Sequence, residues 1–303
     1  MLLHSVLTAL ISHPALQTLE GITPAVEELS HAWHPHLHFT ARVRATNLPV
    51  IIKTGVTEGE TYWTEQLAAA APALFPEFLA AGCISVSENC DRTHFLATER
   101  LPHSLIGPLW QGRQTEMLLD AAARFHQAAQ RVAPQHLPRL SLKDVTQWLA
   151  EGGARHPPGD WVSVAAFAEQ DYDWLLRTCP FVICHGDLHV GNAFSRTAPP
   201  DGSALLIDIN PVLQPWVFDA AWVETCLWKN QGRRGIGNTI RELAARRRIL
   251  GLEALPPEVQ EKAGRIALSW FAIRNWDPDH LEFMPGFQEA TEALINSGAN
   301  IPR

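Results

Sequence analysis

The stretch VICHGDLHVGNAF, residues 182–194, places four polar side chains between two short apolar runs. The apolar residues on each side predict two strands, so the middle is a loop between them. The loop contains His185, Asp187, His189 and Asn192. A carboxylate and an amide together on such a loop predict a site for chemistry rather than a simple turn.

The loop continues into a predicted hairpin that ends at a second carboxylate. NAF leaves the loop, SRTAPPDGS supplies turn residues, and ALLID returns as a buried strand that ends at Asp208. This hairpin would bring the amide oxygen of Asn192 and the carboxylate of Asp208 to one point, and both groups suit Mg²⁺. Asp187 would face the same point without binding the metal. Its carboxylate could accept a proton from a hydroxyl during phosphoryl transfer.

The N-terminal hundred residues predict strands around one helix. FTARVRA (39–45) and VIIKTG (50–55) are β-rich and are joined by the turn TNLP, which predicts a hairpin. Lys53 is predicted to close the second strand, at its end. Thr57 as N-cap, with Glu60 three residues later, predicts the start of a helix.

Strand patterns at PEFLAAG and THFLATERL complete this α+β region, and helical periodicity dominates from residue 112 onwards. We therefore predict an N-terminal lobe of residues 1–101 and a mostly helical C-terminal lobe of residues 102–303.

The overall composition predicts a well-packed protein. Of its 303 residues, 46% are hydrophobic and 18% are charged, which excludes a disordered chain. The net charge of -8 argues against a nucleic-acid partner, which would need a basic surface. The opening MLLHSVLTALISH lacks the marks of a signal peptide, and no apolar window is long enough for a membrane span. We expect a cytoplasmic protein, monomeric or weakly dimeric, without a membrane partner.

The loop HGDLHVGN (185–192) closely resembles the catalytic loop of the aminoglycoside phosphotransferase and choline kinase group, relatives of the protein kinases with the pattern H-x-D-x-x-x-x-N. The resemblance extends to VIIK (50–53), LLID (205–208) and FDAAW (218–222). It implies a bilobal protein-kinase-like fold of the α+β class, with a nucleotide-binding N-terminal lobe. It also implies transfer of the γ-phosphoryl group of ATP or GTP to a small-molecule hydroxyl, with Mg²⁺ as cofactor.

The resemblance assigns roles to the residues of the loop and of its hairpin. Asp187 would be the catalytic base, and Asn192 and Asp208 would bind Mg²⁺. His185 would orient the loop through hydrogen bonds. Asp219 matches the family aspartate that accepts backbone amides from the loop, although a plain helix N-cap would look the same in sequence.

A second set of roles concerns the nucleotide. Lys53 resembles the lysine that holds the α- and β-phosphates. Its carboxylate partner on the next helix is either Glu60, which matches the family register but could merely complete a capping box with Thr57, or Glu65. The stretch SHAWHPHLHF (30–39), which should cover the phosphates, contains no glycine and so departs from the usual kinase pattern.

Two other readings of the chain stay open. The alternating His34, His36 and His38 could suggest a metal site, although no cysteine or carboxylate accompanies them, and a solvated or nucleotide-facing strand is the simpler interpretation. The missing glycine loop would also suit a nucleotide-binding pseudokinase. The complete set of base and metal-ligand residues argues against that reading.

The acceptor is the least determined part of the reaction. The acidic run, defined as Asp277, Asp279 and Glu282, could attract a cationic acceptor, although such a run is usually a solvated face. An aminoglycoside-type acceptor, and with it antibiotic resistance, is the first expectation. The same group includes kinases for sugars, choline, homoserine and fructosamines, so a metabolite kinase is the alternative.

Overall fold

The computed structural model describes residues 2–25, 36–85, 92–141, 143–144, 147, 171–229 and 237–275. The chain divides into two compact units. The first unit comprises Met1–Trp110, Arg131–His136 and Ala193–Asn210, and the second comprises Gln111–Gln130, Leu137–Asn192 and Pro211–Arg303.

The described elements follow one another as strands first and helices later. The strands are β1 (Leu19–Pro24), β2 (His38–Val43), β3 (Pro49–Val56), β4 (Phe78–Ser85), β5 (Arg92–Glu99), β6 (His103–Ser104), β7 (Phe181–Cys184), β8 (Ala193–Ser195), β9 (Leu205–Leu206) and β10 (Val212–Pro215). The helices are α1 (Leu2–Ser12), α2 (Glu58–Ala70), α3 (Gln114–Ala129), α4 (Val217–Lys229), α5 (Asn238–Ile249) and α6 (Pro257–Asn275). This order confirms an α+β fold with a β-sheet N-terminal region and a mostly helical C-terminal region.

The first unit is built on a five-stranded antiparallel sheet in the order β1-β2-β3-β5-β4. The predicted hairpin is confirmed, since β2 and β3 pair antiparallel with Phe39 opposite Ile52. Alternating burial along β3 turns Val50 and Ile52 into the core, where they meet Phe95. The strand continues to Val56, so Lys53 lies within it and does not close it as predicted.

Helix α2 begins where the sequence predicts. The hydroxyl of Thr57 accepts a hydrogen bond from the Glu60 amide at 3.0 Å, which satisfies one free donor of the first turn. Trp63 anchors the helix, because its ring is fully buried and its Nε1 donates to the carbonyl of Gln135 at 2.8 Å. The helix ends at Ala70, ahead of Pro72 as predicted.

A small sheet of order β6-β8-β9 also belongs to the first unit. The second predicted hairpin is confirmed by the antiparallel pairing of β8 and β9, with Ala193 opposite Leu206. The strand ends at Leu206 and not at Asp208, which was the predicted end. The physical reason is local, because Asp208 has a φ of 54°, a left-handed conformation that a strand cannot contain.

The second unit joins β7 and β10, an antiparallel pair, to the helices α3 to α6. Aromatic rings pack α4 against α6, with Phe218 and Trp270 in an edge contact at 5.2 Å. Helices α5 and α6 approach closely at Gly264, where an added Cβ would lie 2.5 Å from Cδ1 of Ile240. Glu224 of α4 accepts the amide of Thr239 at 3.2 Å and so caps the start of α5.

Among the described helices, none is both long and apolar enough to cross a lipid bilayer.

Candidate active site

Lys53 of β3 is the centre of a charged cluster in the first unit. Its Nζ lies 2.9 Å from Oε1 of Glu60 and 3.1 Å from Oδ1 of Asp208. Burial by itself would lower the pKa of Lys53, but the Asp208 and Glu60 carboxylates outweigh it and raise the pKa above its ordinary value. The Lys53 ammonium is therefore held charged by two carboxylates.

The structure brings Lys53 to Glu60 rather than to Glu65. The side chains of Lys53 and Glu60 are only 13% and 12% exposed, whereas Glu65 lies on the exposed side of α2. The Glu60 backbone amide donates to the Thr57 hydroxyl, whereas the Glu60 carboxylate, which a capping box would direct back to the Thr57 amide, contacts Lys53 instead. The side chain of Glu60 therefore serves the ion pair with Lys53.

His38 stands opposite Lys53 in the pairing of β2 with β3. Directly opposed residues of an antiparallel pair project on the same face, so the imidazole shares the face of the lysine. Burial, and then the charge of Lys53, lower the pKa of His38. His36 places Nδ1 3.1 Å from the carbonyl of Thr54, whereas His34 lies outside the described residues.

Asp187 of the second unit has a carboxylate that is held on both oxygens. Nδ2 of Asn192 donates to Oδ2 at 3.0 Å, and Nε1 of Trp222 donates to Oδ1 at 3.1 Å. His189 accepts the Gly191 amide on Nδ1, so its protonated Nε2 faces Oδ2 of Asp187 at 3.6 Å. The Asp187 side chain nevertheless remains 37% exposed.

The electrostatics of this carboxylate favour its ionised form. Burial alone would raise the pKa of Asp187, but the neighbouring imidazoles of His189 and His185, together with the Asn192 donor, lower it below its ordinary value. An exposed, ionised carboxylate can accept a proton from a hydroxyl that reaches it.

Asp219 holds the backbone of the same loop. Its Oδ2 accepts the His185 amide at 2.9 Å, and its Oδ1 accepts the Gly186 amide at 3.4 Å. Since α4 begins at Val217, Asp219 lies inside the first turn and does not precede the helix as a plain N-cap would. His185 is fully buried, and its Nδ1 accepts the amide of Asp187 at 3.4 Å.

A comparison with family models gives one decisive match. The APH model, described as the phosphotransferase enzyme family, matches residues 54–223, which is more than half of the chain. The chain belongs to this phosphotransferase enzyme family. A comparison with curated proteins gave no match.

Solved structures share the fold of this phosphotransferase at low sequence identity. A thermostable mutant of aminoglycoside phosphotransferase APH(4)-Ia, in a ternary complex with ADP and hygromycin B, is 14% identical with a TM-score of 0.57, covering 98% of this chain and 100% of that chain. An aminoglycoside phosphotransferase from Alicyclobacillus acidocaldarius is 14% identical with a TM-score of 0.57, covering 93% and 92%. A choline/ethanolamine kinase family protein from Mesorhizobium loti is 15% identical with a TM-score of 0.58, covering 97% and 95%. These similarities confirm the protein-kinase-like fold.

Sequence reasoning missed a buried network behind the loop of this phosphotransferase. Nε2 of His126 lies 3.0 Å from Oδ2 of Asp219, and a guanidinium nitrogen of Arg247 lies 2.9 Å from Nδ1 of His126. Arginine can only donate, so Nδ1 is the acceptor and Nε2 carries the proton donated to Asp219. Burial lowers the pKa of Arg247 to about 10 and keeps the pKa of His126 below its ordinary value.

The network could resemble a metal site, because His126, Cys184 and Asp219 place ligand-type atoms within 4.8 Å of one another. Its hydrogen bonds argue for a structural role, since the guanidinium of Arg247 already occupies the free nitrogen of the imidazole. The helical periodicity of α3 could have placed His126 on a buried face. The run of three arginines at Arg246–Arg248 does not show which of them is buried.

The predicted acceptor residues of the acidic run lie outside the described residues.

Proposed function

We propose that this phosphotransferase moves the γ-phosphoryl group of ATP, or of GTP, to a hydroxyl group of a small molecule. The observation that carries the proposal is the Asp187 carboxylate, which is oriented by donors on both oxygens and is still 37% exposed. Asp187 would accept the proton of the attacking hydroxyl. A carboxylate that only satisfied turn amides would need neither the Trp222 nor the Asn192 donor.

The nucleotide is assigned to the first unit. Lys53 would hold the α- and β-phosphates, and Glu60 would keep its ammonium in place through the 2.9 Å contact. The similar APH(4)-Ia structure was determined with ADP, which supports a nucleotide donor. We assign the nucleotide to the N-terminal lobe, residues 1–101, and the acceptor to the C-terminal lobe, residues 102–303.

The donor set proposed for the cofactor fits Mg²⁺, and the ligands would be Asn192 and Asp208. Asn192 directs its nitrogen to Asp187, which leaves the amide oxygen for a cation, and the Asp208 carboxylate is 42% exposed. Mg²⁺ would neutralise charge that develops on the phosphates during transfer. This chain's own residues would orient the carboxylate, hold the loop and accept the proton.

An aminoglycoside-type acceptor is the first candidate. The similar APH(4)-Ia structure contains hygromycin B, and the net charge of -8 together with the acidic run favours a cationic acceptor. Resistance to such an antibiotic would follow. A choline-type amino alcohol is the second candidate, because a choline/ethanolamine kinase family protein has a comparable TM-score and such alcohols are also cationic. A cytoplasmic location and a monomeric or weakly dimeric state belong to the same proposal.

The test is Mg²⁺-dependent ADP release with a panel of acceptors: hygromycin B, other aminoglycosides, choline, ethanolamine, homoserine, sugars and fructosamines. Asp187→Asn should lower turnover by about 10² or more while leaving nucleotide affinity nearly unchanged. Full activity in this variant would remove Asp187 from the mechanism. Nucleotide binding without ADP release on any acceptor would indicate a pseudokinase.

A further inference from the structure

The carboxylate group of Asp187 can rotate about the terminal torsion of its side chain. The terminal torsion of an aspartate joins an sp³ carbon to an sp² carbon, and such torsions occupy broad wells. A general base must nevertheless point one oxygen at the attacking hydroxyl, because a misplacement of about 1 Å can cost about 100-fold in rate. The plane of the carboxylate therefore has to be fixed by other residues.

Two donors on opposite oxygens fix this plane. Asn192 contacts Oδ2 at 3.0 Å, but it belongs to the same loop and also donates to the Asp187 carbonyl at 3.0 Å, so it ties the carboxylate only to the loop itself. Trp222 contacts Oδ1 at 3.1 Å and belongs to α4. The indole therefore connects the carboxylate to the helical body of the second unit.

Trp222 is itself well placed to act as a fixed donor. Its ring lies 5.1 Å from the ring of Phe271 on α6, with the two planes at 41°. Tryptophan has only two side-chain torsions, and its indole N–H donates without accepting, so it cannot compete for the transferred proton. Asp219 lies three positions earlier, and residues at this spacing share one helix face. One turn of α4 thus holds both the loop backbone and the carboxylate.

We infer that Trp222 is a positioning residue, whose indole N–H holds the Asp187 carboxylate in the plane that receives the hydroxyl proton. The inference rests on the proposed function, because it takes Asp187 as the base. If Trp222 served only to pack against Phe271, the ring would matter and the N–H would not. Trp222→Phe separates these roles, since it keeps an aromatic ring and removes the donor.

The kinetic test uses single-turnover ADP formation from Mg²⁺–ATP with water as acceptor, which requires no identified substrate. Trp222→Phe should lower the maximal rate by about 10- to 100-fold and leave the ATP concentration at half-maximal rate unchanged. Trp110→Phe is the matched control, because Trp110 donates its Nε1 to the carbonyl of Ser104 at 2.8 Å in the first unit. This control should keep its rate within about twofold of the wild type.

A second readout does not depend on turnover. The indole ¹H–¹⁵N signal that is lost in Trp222→Phe identifies the Trp222 N–H in the wild-type protein. This signal should move upfield in Asp187→Asn, because a neutral acceptor then replaces a charged one and the hydrogen bond weakens.

The outcomes separate the inference from the proposed function. A wild-type rate in Trp222→Phe, or a Trp222 signal that does not move in Asp187→Asn, would overturn the positioning role. If Asp187→Asn is slow while Trp222→Phe is not, only the inference fails. If Asp187→Asn keeps the wild-type rate, the proposed base fails as well.

Discussion

Two substitutions of Asp219, to Asn and to Ala, test the buried network of His126, Asp219 and Arg247 behind the loop. Both short hydrogen bonds to this carboxylate, from His126 at 3.0 Å and from the His185 amide at 2.9 Å, end on Oδ2. In Asp219→Asn the amide oxygen can take the place of Oδ2 and keep both bonds, but as neutral bonds. Charge-assisted bonds are roughly twice as strong as neutral ones, so each bond should lose about 1 kcal/mol. We expect the free energy of unfolding to fall by at least about 2 kcal/mol, because the Asn NH2 group would also face the Gly186 amide that Oδ1 accepts.

Asp219→Ala should cost more than Asp219→Asn. It leaves the fully buried His185 without an acceptor for its amide and the buried Arg247 without a nearby carboxylate charge. Removing one partner of a buried charged network typically costs about 3–5 kcal/mol. Asp120→Asn is the matched control, because Asp120 pairs with Arg246 at 2.6 Å but is 54% exposed, and exposed pairs contribute at most about 1 kcal/mol.

The measurement is equilibrium urea unfolding followed by the fluorescence of the 11 tryptophans. An alanine variant within about 1 kcal/mol of the wild type, or asparagine and alanine variants of equal stability, would refute this account of the network. The dependence of the free energy of unfolding on pH in the acid range gives a further check. Burial by itself would raise the pKa of Asp219. The hydrogen bonds from His126 and from the His185 amide outweigh burial and lower this pKa below its ordinary value. The contribution of Asp219 to the free energy of unfolding is therefore complete above its unfolded pKa of about 3.9. It is lost as the pH falls through the lower folded pKa. This pH dependence should be absent in Asp219→Asn.

Three further perturbations address the proposed nucleotide, metal and acceptor contacts. Glu60→Gln should raise the KM for ATP by about tenfold, because Lys53 loses one buried ion-pair partner. Substitution of the exposed Glu65 by Gln should leave this KM unchanged, and equal effects of the two variants would contradict the pairing of Lys53 with Glu60. Asp208→Ala should weaken Mg²⁺-dependent ATP binding in calorimetric titrations more than Asn192→Ala, because the carboxylate brings a full charge, and two negligible effects would displace the metal site. Neutralising the acidic run to Asn, Asn and Gln should raise the KM for hygromycin B more at low than at high ionic strength, since each charge contributes on the order of 1 kcal/mol. An unchanged KM at low salt would exclude a cationic acceptor that depends on this run.

The parts of the fold that the sequence predicted are those set by local patterns. The hairpin of β2 and β3 follows from period-2 alternation around a turn, and the start of α2 follows from the Thr57 cap, so both needed only neighbouring residues. The contact of Lys53 with Glu60 was one of two options that the resemblance to the family offered, and only the folded structure distinguishes Glu60 from Glu65. The end of β9 was misplaced because hydrophobicity continues through Ile207, whereas strand pairing stops at Leu206.

The residues that sequence reasoning missed act over long separations. Trp222 lies 35 positions from Asp187, and Arg247 lies 121 positions from His126. A tryptophan in an apolar helix and an arginine in a run of three carry no local sign of such partners. Their roles arise only when α3, α4 and α5 pack together, which is a property of tertiary structure and not of any single pattern.

The position of α4 shows why the loop pattern alone does not determine how the Asp187 carboxylate is held. A loop could contain His185, Asp187 and Asn192 in this spacing without holding them in place. In this structure Asp219 binds the loop backbone, and Trp222 binds the carboxylate of Asp187. Further along the same helix, Glu224 caps α5 through the Thr239 amide, so α4 also contributes to the packing of the helical body. A substitution that shifts α4 should therefore reduce stability and turnover together. One that removes only the indole N–H should reduce turnover alone, and this difference separates the scaffold from the positioning of the base.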